Sequence, residues 1–296
     1  RAQPEGHLVV FGVGTPLITP FTALVCPLDS HPLTLANGSW SCTDGHSFDV
    51  ARQGYCNMLA VQNKRSRDPG DSRDMVAARS RFLQAGFYQP LAAAVTRQVL
   101  LTALPAAPLS CLDAGCGEGY YLRELAAGIN DDRQLRLAGV DISKWAVQAA
   151  ARQSRQVNWL VASNAQLPVA SHSIDRLLCL FGFPTFAEFA RVVKPGGELL
   201  LAEAGPAHLQ QLREMIYPEL KPLQAKPLPI ADGFQAVAEE LIGFDLALNT
   251  PQAIADLLAM TPHMHRATPE GRSNVLALPS LKVGVEVRLV RLLRDS

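Results

Sequence analysis

Leu112-Asp113-Ala114-Gly115-Cys116-Gly117-Glu118-Gly119-Tyr120 decides the reading of this chain. Ahead of it, residues 109–112 form a short apolar run bounded by Pro108. Behind it Tyr121, Leu122, Leu125 and Ala126 recur at helical spacing. The local expectation is a buried strand, a glycine turn and a helix N-terminus. Three alternating glycines leave out Cβ atoms, so a ligand can come close to the main chain. Asp113 closes the strand at the edge where open α/β sheets bind ligands.

A dinucleotide fold wants G-x-G-x-x-G, with its last glycine inside the helix. Here the glycines fall at Gly115, Gly117 and Gly119, and Tyr120 takes the place of that last glycine. This is the pattern of S-adenosylmethionine (SAM) methyltransferases, which seat an amino acid end instead of a pyrophosphate. Asp141 ends the next expected strand, residues 137–140, where a carboxylate takes ribose hydroxyls. Asn164 follows the third strand, where an adenine edge would be read. A glycine turn without a ligand and an NAD site are the competing readings, and the placement of Asp113 and Asp141 favours SAM.

Strand and helix alternate around this motif. Strands are expected at 157–161, 174–181 and 198–202, and helices at 91–104 and 144–154, the latter capped by Ser143. Lys194-Pro195-Gly196-Gly197 reads as a turn before the strand at 198. The alternation gives an α/β fold, a Rossmann-like doubly wound and mostly parallel sheet with helices on both faces. Residues 283–293 alternate and add a late antiparallel strand. Residues 218–235 are proline-rich and read as irregular. Thr250-Pro251 opens a further helix, and His263 and His265 read as exposed loop histidines.

The chain of 296 residues has zero formal net charge, so no global field favours nucleic acid and any RNA surface must be local. Cysteines scattered in and beside strands suit reduced thiols in a cytoplasmic protein. No apolar run reaches membrane-spanning length. Residues 1–20 carry an apolar stretch broken by Gly12, Gly14 and Pro16, without a basic leader. They read as an extension rather than a signal peptide, a decorating strand being the other possibility.

Residues 21–60 form a turn-rich unit. A structural zinc site wants two knuckles, commonly C-x-x-C and C-x₃-H. Cys42 and His46 make the second. Cys26 opens the first, but Asp29 stands where its second cysteine should be, with His31 close enough to substitute. The candidate ligands are Cys26, Asp29, Cys42 and His46; a metal-free ribbon held by Leu33, Trp40 and Phe48 is the alternative. Residues 61–90 hold a basic run with Lys64, Arg65 and Arg67, then a helix capped by Ser72. The run is either a solvated linker or a phosphate-contacting loop. Residues 91–296 form the ligand-binding domain.

Together these stretches resemble the RlmA family of 23S rRNA (guanine-N1)-methyltransferases. The resemblance rests on Cys42 to His46, Gly54-Tyr55-Cys56-Asn57-Met58-Leu59, and Asn63-Lys64-Arg65-Ser66-Arg67-Asp68-Pro69-Gly70-Asp71-Ser72. It continues through Asp113 to Tyr121, Arg191-Val192-Val193-Lys194-Pro195-Gly196-Gly197, Gly205-Pro206-Ala207-His208-Leu209 and Met260-Thr261-Pro262. It implies a class I SAM-dependent methyltransferase preceded by a zinc-ribbon-like RNA-recognition domain, commonly a homodimer, acting on a 23S rRNA hairpin. It also implies SAM contacts on Tyr88, Gly117, Glu118 and His208, and RNA contacts on Lys64, Arg65 and Arg67. Taken alone, Tyr88 could be core and Glu118 an exposed acid favoured by the helix dipole. Asp29 departs from the family pattern, and so does Phe181-Gly182-Phe183-Pro184, in the region that should face the target base. No residue announces itself as a catalytic base. A small-molecule SAM methyltransferase and an inactive RNA-binding homologue are the rival functions.

Overall fold

The computed structural model describes residues 17–59, 68–102, 108–129, 134–219 and 231–296. The chain enters on β1 (Leu17–Ile18). A small antiparallel sheet follows, made of β2 (Thr34–Ala36), β3 (Ser39–Ser41) and β4 (Ser47–Asp49), and then β5 (Tyr55–Asn57). Trp40 stands opposite both Leu35 and Phe48 in the small sheet. Helices α1 (Arg73–Gln84) and α2 (Gln89–Leu100) come next. Ser72 caps α1, its Oγ accepting the Met75 N–H at 3.3 Å.

β6 (Leu109–Ala114) is buried at all six positions, which is why its sequence is a continuous short run rather than an alternation. It leads to α3 (Tyr120–Ala127), β7 (Gln134–Asp141), α4 (Lys144–Gln153) and β8 (Asn158–Val161). Then come β9 (Ile174–Leu180), α5 (Phe186–Val192), β10 (Val193–Ala204) and α6 (Gln210–Ile216). The chain closes with β11 (Phe234–Leu248), α7 (Pro251–Met260), α8 (His263–Arg266), α9 (Pro269–Leu276) and β12 (Leu281–Arg294). Ser143 and Thr250 cap α4 and α7 through the N–H groups of Ala146 and Ala253, at 3.3 and 3.2 Å.

The large sheet runs β11-β12-β10-β9-β6-β7-β8-β5. Pairings from β10 to β5 are parallel, and β12 lies antiparallel to both β10 and β11. From β6 the chain moves outward to β7 and β8, then returns to the other side as β9 and β10. Strand order therefore reverses between β6 and β9, the place where such sheets bind ligands. Asp113 lies there, between Gly139 of β7 and Leu178 of β9.

Each face of the sheet has its own core. One is covered by α1, α2, α3, α4, α6 and α7. On the other, α5 shares the face with the N-terminal unit: Phe21, Leu24, Leu33, Trp40 and Met58 pack with Leu112, Val140, Leu160 and Phe189. Residues 162–173, between β8 and β9, form no helix. Leu24 bridges to Val169 there, and the Ala170 N–H donates to Ala23. The N-terminal unit thus takes the place of a crossover helix, and its last strand, β5, extends the sheet beside β8.

Several expectations are corrected. Residues 17–18 decorate the sheet as β1, paired with β7, rather than forming an extension without a role. The Lys194-Pro195-Gly196-Gly197 turn is absorbed into β10 as a register slip between Val193 and Glu198. The longest strand, β11, has no counterpart in the expected elements. Glu239-Glu240 and Gly243 blur its alternation, and pairing with β12 is what makes it a strand.

Trp159 sets the clearance under the glycine turn. A Cβ on Gly139 would lie 2.5 Å from its ring, and one on Gly119 would lie 2.4 Å from it. Gly139→Ala should therefore destabilise the protein by about 1–3 kcal/mol through overpacking. Adding Trp159→Leu should make the Gly139→Ala step cost less than it does in the wild type. Urea unfolding of the four proteins measures that coupling.

Candidate active site and metal site

The glycine turn is fixed from β7. Val140 O accepts the N–H groups of both Gly115 and Cys116, at 2.8 and 3.0 Å. The Asp141 carboxylate accepts the Gly117 N–H at 2.9 Å and the Ser143 N–H at 2.8 Å. Gly115, Gly117 and Gly119 all have positive φ, a conformation that side chains resist. Asn164 donates from Nδ2 to Ala114 O at 3.2 Å, which holds it beside the turn. Asp113, Gly115, Gly117, Asp141 and Asn164 are thus gathered at one sheet edge.

Asp113 is 1% exposed, and neither carboxylate oxygen has a hydrogen-bond partner. Burial, with the nearby Asp141 charge, pushes its carboxyl up to about 8. An unpartnered buried carboxylate at an order reversal fits a cationic ligand group. Glu118 is buried rather than an exposed helix-start acid. Its Oε2 accepts from Arg123 and Gln153, both at 2.9 Å, while Oε1 has no partner.

Tyr88 is buried before α2, edge-on to Phe82 and Phe244. His208 lies beyond β10, with Nδ1 2.9 Å from Glu286 O. Burial drives its imidazole down to about 4, helped by His263 and Arg213, so it is neutral at pH 7. His263 belongs to α8 and lies 2.8 Å from the Tyr217 hydroxyl through Nδ1; it is not a loop histidine.

Residues beyond the motif join the edge; the sequence marks Ser143 as a helix cap and Asp68 and Asp71 as part of the family motif, but none of them as a site residue. Ser143 Oγ donates to Asp71 O at 2.7 Å, and Trp145 Nε1 donates to Asp68 at 3.0 Å. Arg79 pairs with Asp71, and its guanidinium lies 3.6 Å from where a Gly117 Cβ would be. These contacts join α1 and the segment before it to positions from nearly forty to more than seventy residues downstream, separations that no local pattern encodes. Lys64, Arg65 and Arg67 lie outside the described residues.

In the N-terminal unit Cys26, Asp29, Cys42 and His46 present ligand atoms that all lie within 4.8 Å of one another. Cys26 Sγ and Cys42 Sγ are 3.6 and 3.5 Å from His46 Nδ1. Those are the edge lengths of a zinc tetrahedron with bonds of about 2.0–2.3 Å. Asp29 Oδ2 is closer, 2.6 Å from His46 Nδ1 and 3.1 Å from Cys42 Sγ. Burial raises the Asp29 carboxyl. The His31 N–H, the Cys42 and Cys26 thiols and His46 outweigh this and hold it well below the usual carboxylate range. The donor set fits zinc, with a carboxylate where a thiolate is usual. His31 serves Asp29 by donating its backbone N–H at 2.8 Å.

The family described as "RlmA, N-terminal", a zinc ribbon, matches residues 24–67, and a methyltransferase domain family matches residues 111–197. Over 264 residues the chain is 31% identical to the 23S rRNA (guanine(748)-N(1))-methyltransferase of Streptomyces fradiae, covering 87% of this chain and 91% of that one. The chain belongs to the RlmA family of 23S rRNA (guanine-N1)-methyltransferases. Two further RlmA-type relatives bear that enzyme name provisionally. One, from Micromonospora griseorubida, is 32% identical over 90% of this chain and 96% of its own. The other, YxjB of Bacillus subtilis, is 28% identical over 91% and 96%. In this RlmA-family chain a class I methyltransferase fold follows the ribbon, and no helix of the described residues is long and apolar enough to cross a membrane.

A carboxyl raised by burial takes up a proton on folding, so its contribution is fully present below the ordinary carboxylate range and is lost as pH rises toward 8. Asp113→Asn should flatten that slope in the ligand-free protein. Its melting temperature should gain on the wild type between pH 5 and pH 8, as scanning calorimetry across that range would measure.

Proposed function

We propose that this chain transfers the methyl group of SAM to N1 of a guanine in a 23S rRNA hairpin, in the cytoplasm and as a homodimer. The observation that carries the reading is the unpartnered Asp113 carboxylate at the order reversal. It lies in a chain that matches the Streptomyces fradiae guanine-N1 enzyme along nearly its whole length. Bound SAM would supply a methyl group on a sulfonium, with a neutral thioether as leaving group, and the guanine N1 proton would be released to solvent as the N–C bond forms.

The chain's part is to bind and orient. Asp113 offers both oxygens to a cationic amino group. Gly115 and Gly117 let the ligand approach the main chain, and Glu118 keeps one oxygen free beside them. Asp141 and Asn164 face the nucleoside end, and Tyr88 and His208 are the further SAM contacts that the family resemblance implies. Such in-line positioning supplies much of the rate.

In this reading zinc on Cys26, Asp29, Cys42 and His46 would hold the ribbon in shape for RNA, and Lys64, Arg65 and Arg67 would contact phosphates. The Cys26–His46 and Cys42–His46 separations support it. A thiolate suits a structural zinc site better than a carboxylate. Asp29→Cys should therefore bind zinc more tightly than wild type, and Cys42→Ala should lose it, both measured by chelator competition.

The deciding assay incubates the protein with SAM and unmodified 23S rRNA, digests the RNA and looks for 1-methylguanosine by mass spectrometry. The expected result is a new 1-methylguanosine peak, lost in Asp113→Ala at matched folding. An unmodified RNA beside a protein that binds SAM would overturn the substrate assignment.

A further inference from the structure

We propose that Phe183, supported by Phe181, is the platform on which the target guanine stacks once it has left its hairpin. The inference rests on the reading above that this chain methylates a guanine in RNA. Phe183 is 92% exposed, the most exposed large hydrophobic side chain among the described residues. A single exposed apolar side chain is ordinary in itself. Its position is what carries the argument.

The loop Phe181-Gly182-Phe183-Pro184 leaves β9 and crosses the end of β6 at the reversal of strand order. A Cβ added to Gly182 would stand 3.1 Å from Cys179 Sγ and 3.6 Å from Ala114 O, so the loop lies directly on the strand that ends in the glycine turn. The same Ala114 oxygen accepts Asn164. The loop is therefore a neighbour of the proposed SAM crevice.

Phe181 adopts φ +56, a conformation that is unfavourable for an aromatic residue. Its N–H is held by Ala202 O at 2.8 Å, so β10 imposes the conformation. The ring is 43% exposed, with its centroid 6.2 Å from that of His208. Backbone strain of this kind collects where a side chain must be aimed. Pro184 restricts Phe183 to extended backbone, which stiffens the presentation of the second ring. Two exposed aromatic side chains two residues apart thus flank the glycine that lies against the end of β6.

A base in a hairpin must be unstacked to reach a methyl donor. Aromatic faces replace the stacking it loses, without reading its sequence. Phe181 and Phe183 are placed to do this, with the guanine N1 edge left free to face the crevice.

The test compares wild type, Phe183→Ala, Phe183→Trp and Phe181→Leu. It measures kcat and KM for unmodified 23S rRNA, SAM affinity by calorimetry, and melting temperature. Phe183→Ala should lower kcat/KM for RNA about 10- to 100-fold, with SAM affinity and melting temperature unchanged. Phe183→Trp should keep near wild-type methylation, and Phe181→Leu should show a smaller loss than Phe183→Ala. Wild-type kcat/KM in Phe183→Ala would overturn the proposal and leave the ring to some protein contact. So would an equal loss in Phe183→Trp, which would make the effect steric. If wild type binds SAM but methylates no RNA, the substrate reading itself fails and this inference falls with it.

Discussion

Trp159 fills the space that Cβ atoms at Gly119 and Gly139 would occupy. Its indole N–H donates to Ser154 O at 2.7 Å, which fixes the ring in that place. The consequence is a turn with a floor. With the ring below and Val140 O holding two successive N–H groups, the main chain from Gly115 to Gly119 has one path open to it. Asp113 is stranded without a hydrogen-bond donor at the start of that path, and Asp141 at its side accepts the N–H groups of Gly117 and Ser143. The site is therefore a by-product of how tightly β6, β7 and β8 are packed.

The parts of this arrangement that depend on neighbouring residues could be read from the sequence. Glycine spacing, the capping serines at 72 and 143 and the Thr250-Pro251 start are local signals, and they place α1, α4 and α7 where they are found. The continuous apolar run at 109–112 marks β6, because a strand buried on both faces has no reason to alternate. β11 escaped, because its exposed face tolerates Glu239 and Gly243 while Glu240 on the opposite face pairs with Arg97 and Gln98 of α2, and its identity comes from β12 across the sheet. The burial of Glu118 escaped for the same reason, since Arg123 is near in sequence but Gln153 is not. The contacts of Ser143, Asp71 and Arg79 are invisible to any reading that moves along one element at a time.

The N-terminal unit was legible as four candidate ligands but not as a building element of the sheet. Cys26, Asp29, Cys42 and His46 converge as their spacing suggests. What spacing could not show is that Phe21, Leu24 and Met58 cover a sheet face that lacks a helix between β8 and β9. The ribbon is thus joined to the methyltransferase core by burial and by a strand. Asp29 carries a cost and a benefit in this setting. It is a harder ligand than cysteine, but its second oxygen is occupied by the His31 N–H, which holds the carboxylate in one orientation.

The segment from Asp68 to Arg79 follows directly after Lys64, Arg65 and Arg67, and it is fastened to the strand end that carries Asp141. Asp68 is bonded to Trp145, Asp71 to Ser143 and Arg79, and Arg79 lies over Gly117. A Cβ on Gly70 would lie 2.9 Å from Ser143, so the segment sits flush against it. Energy put into one end of such a joint is felt at the other. Linkage makes any exchange symmetrical: whatever free energy a change at the Asp141 end contributes at the other end of the segment, a change there returns in equal measure. The two ends of the segment are thus coupled through twelve residues of main chain rather than through a moving domain.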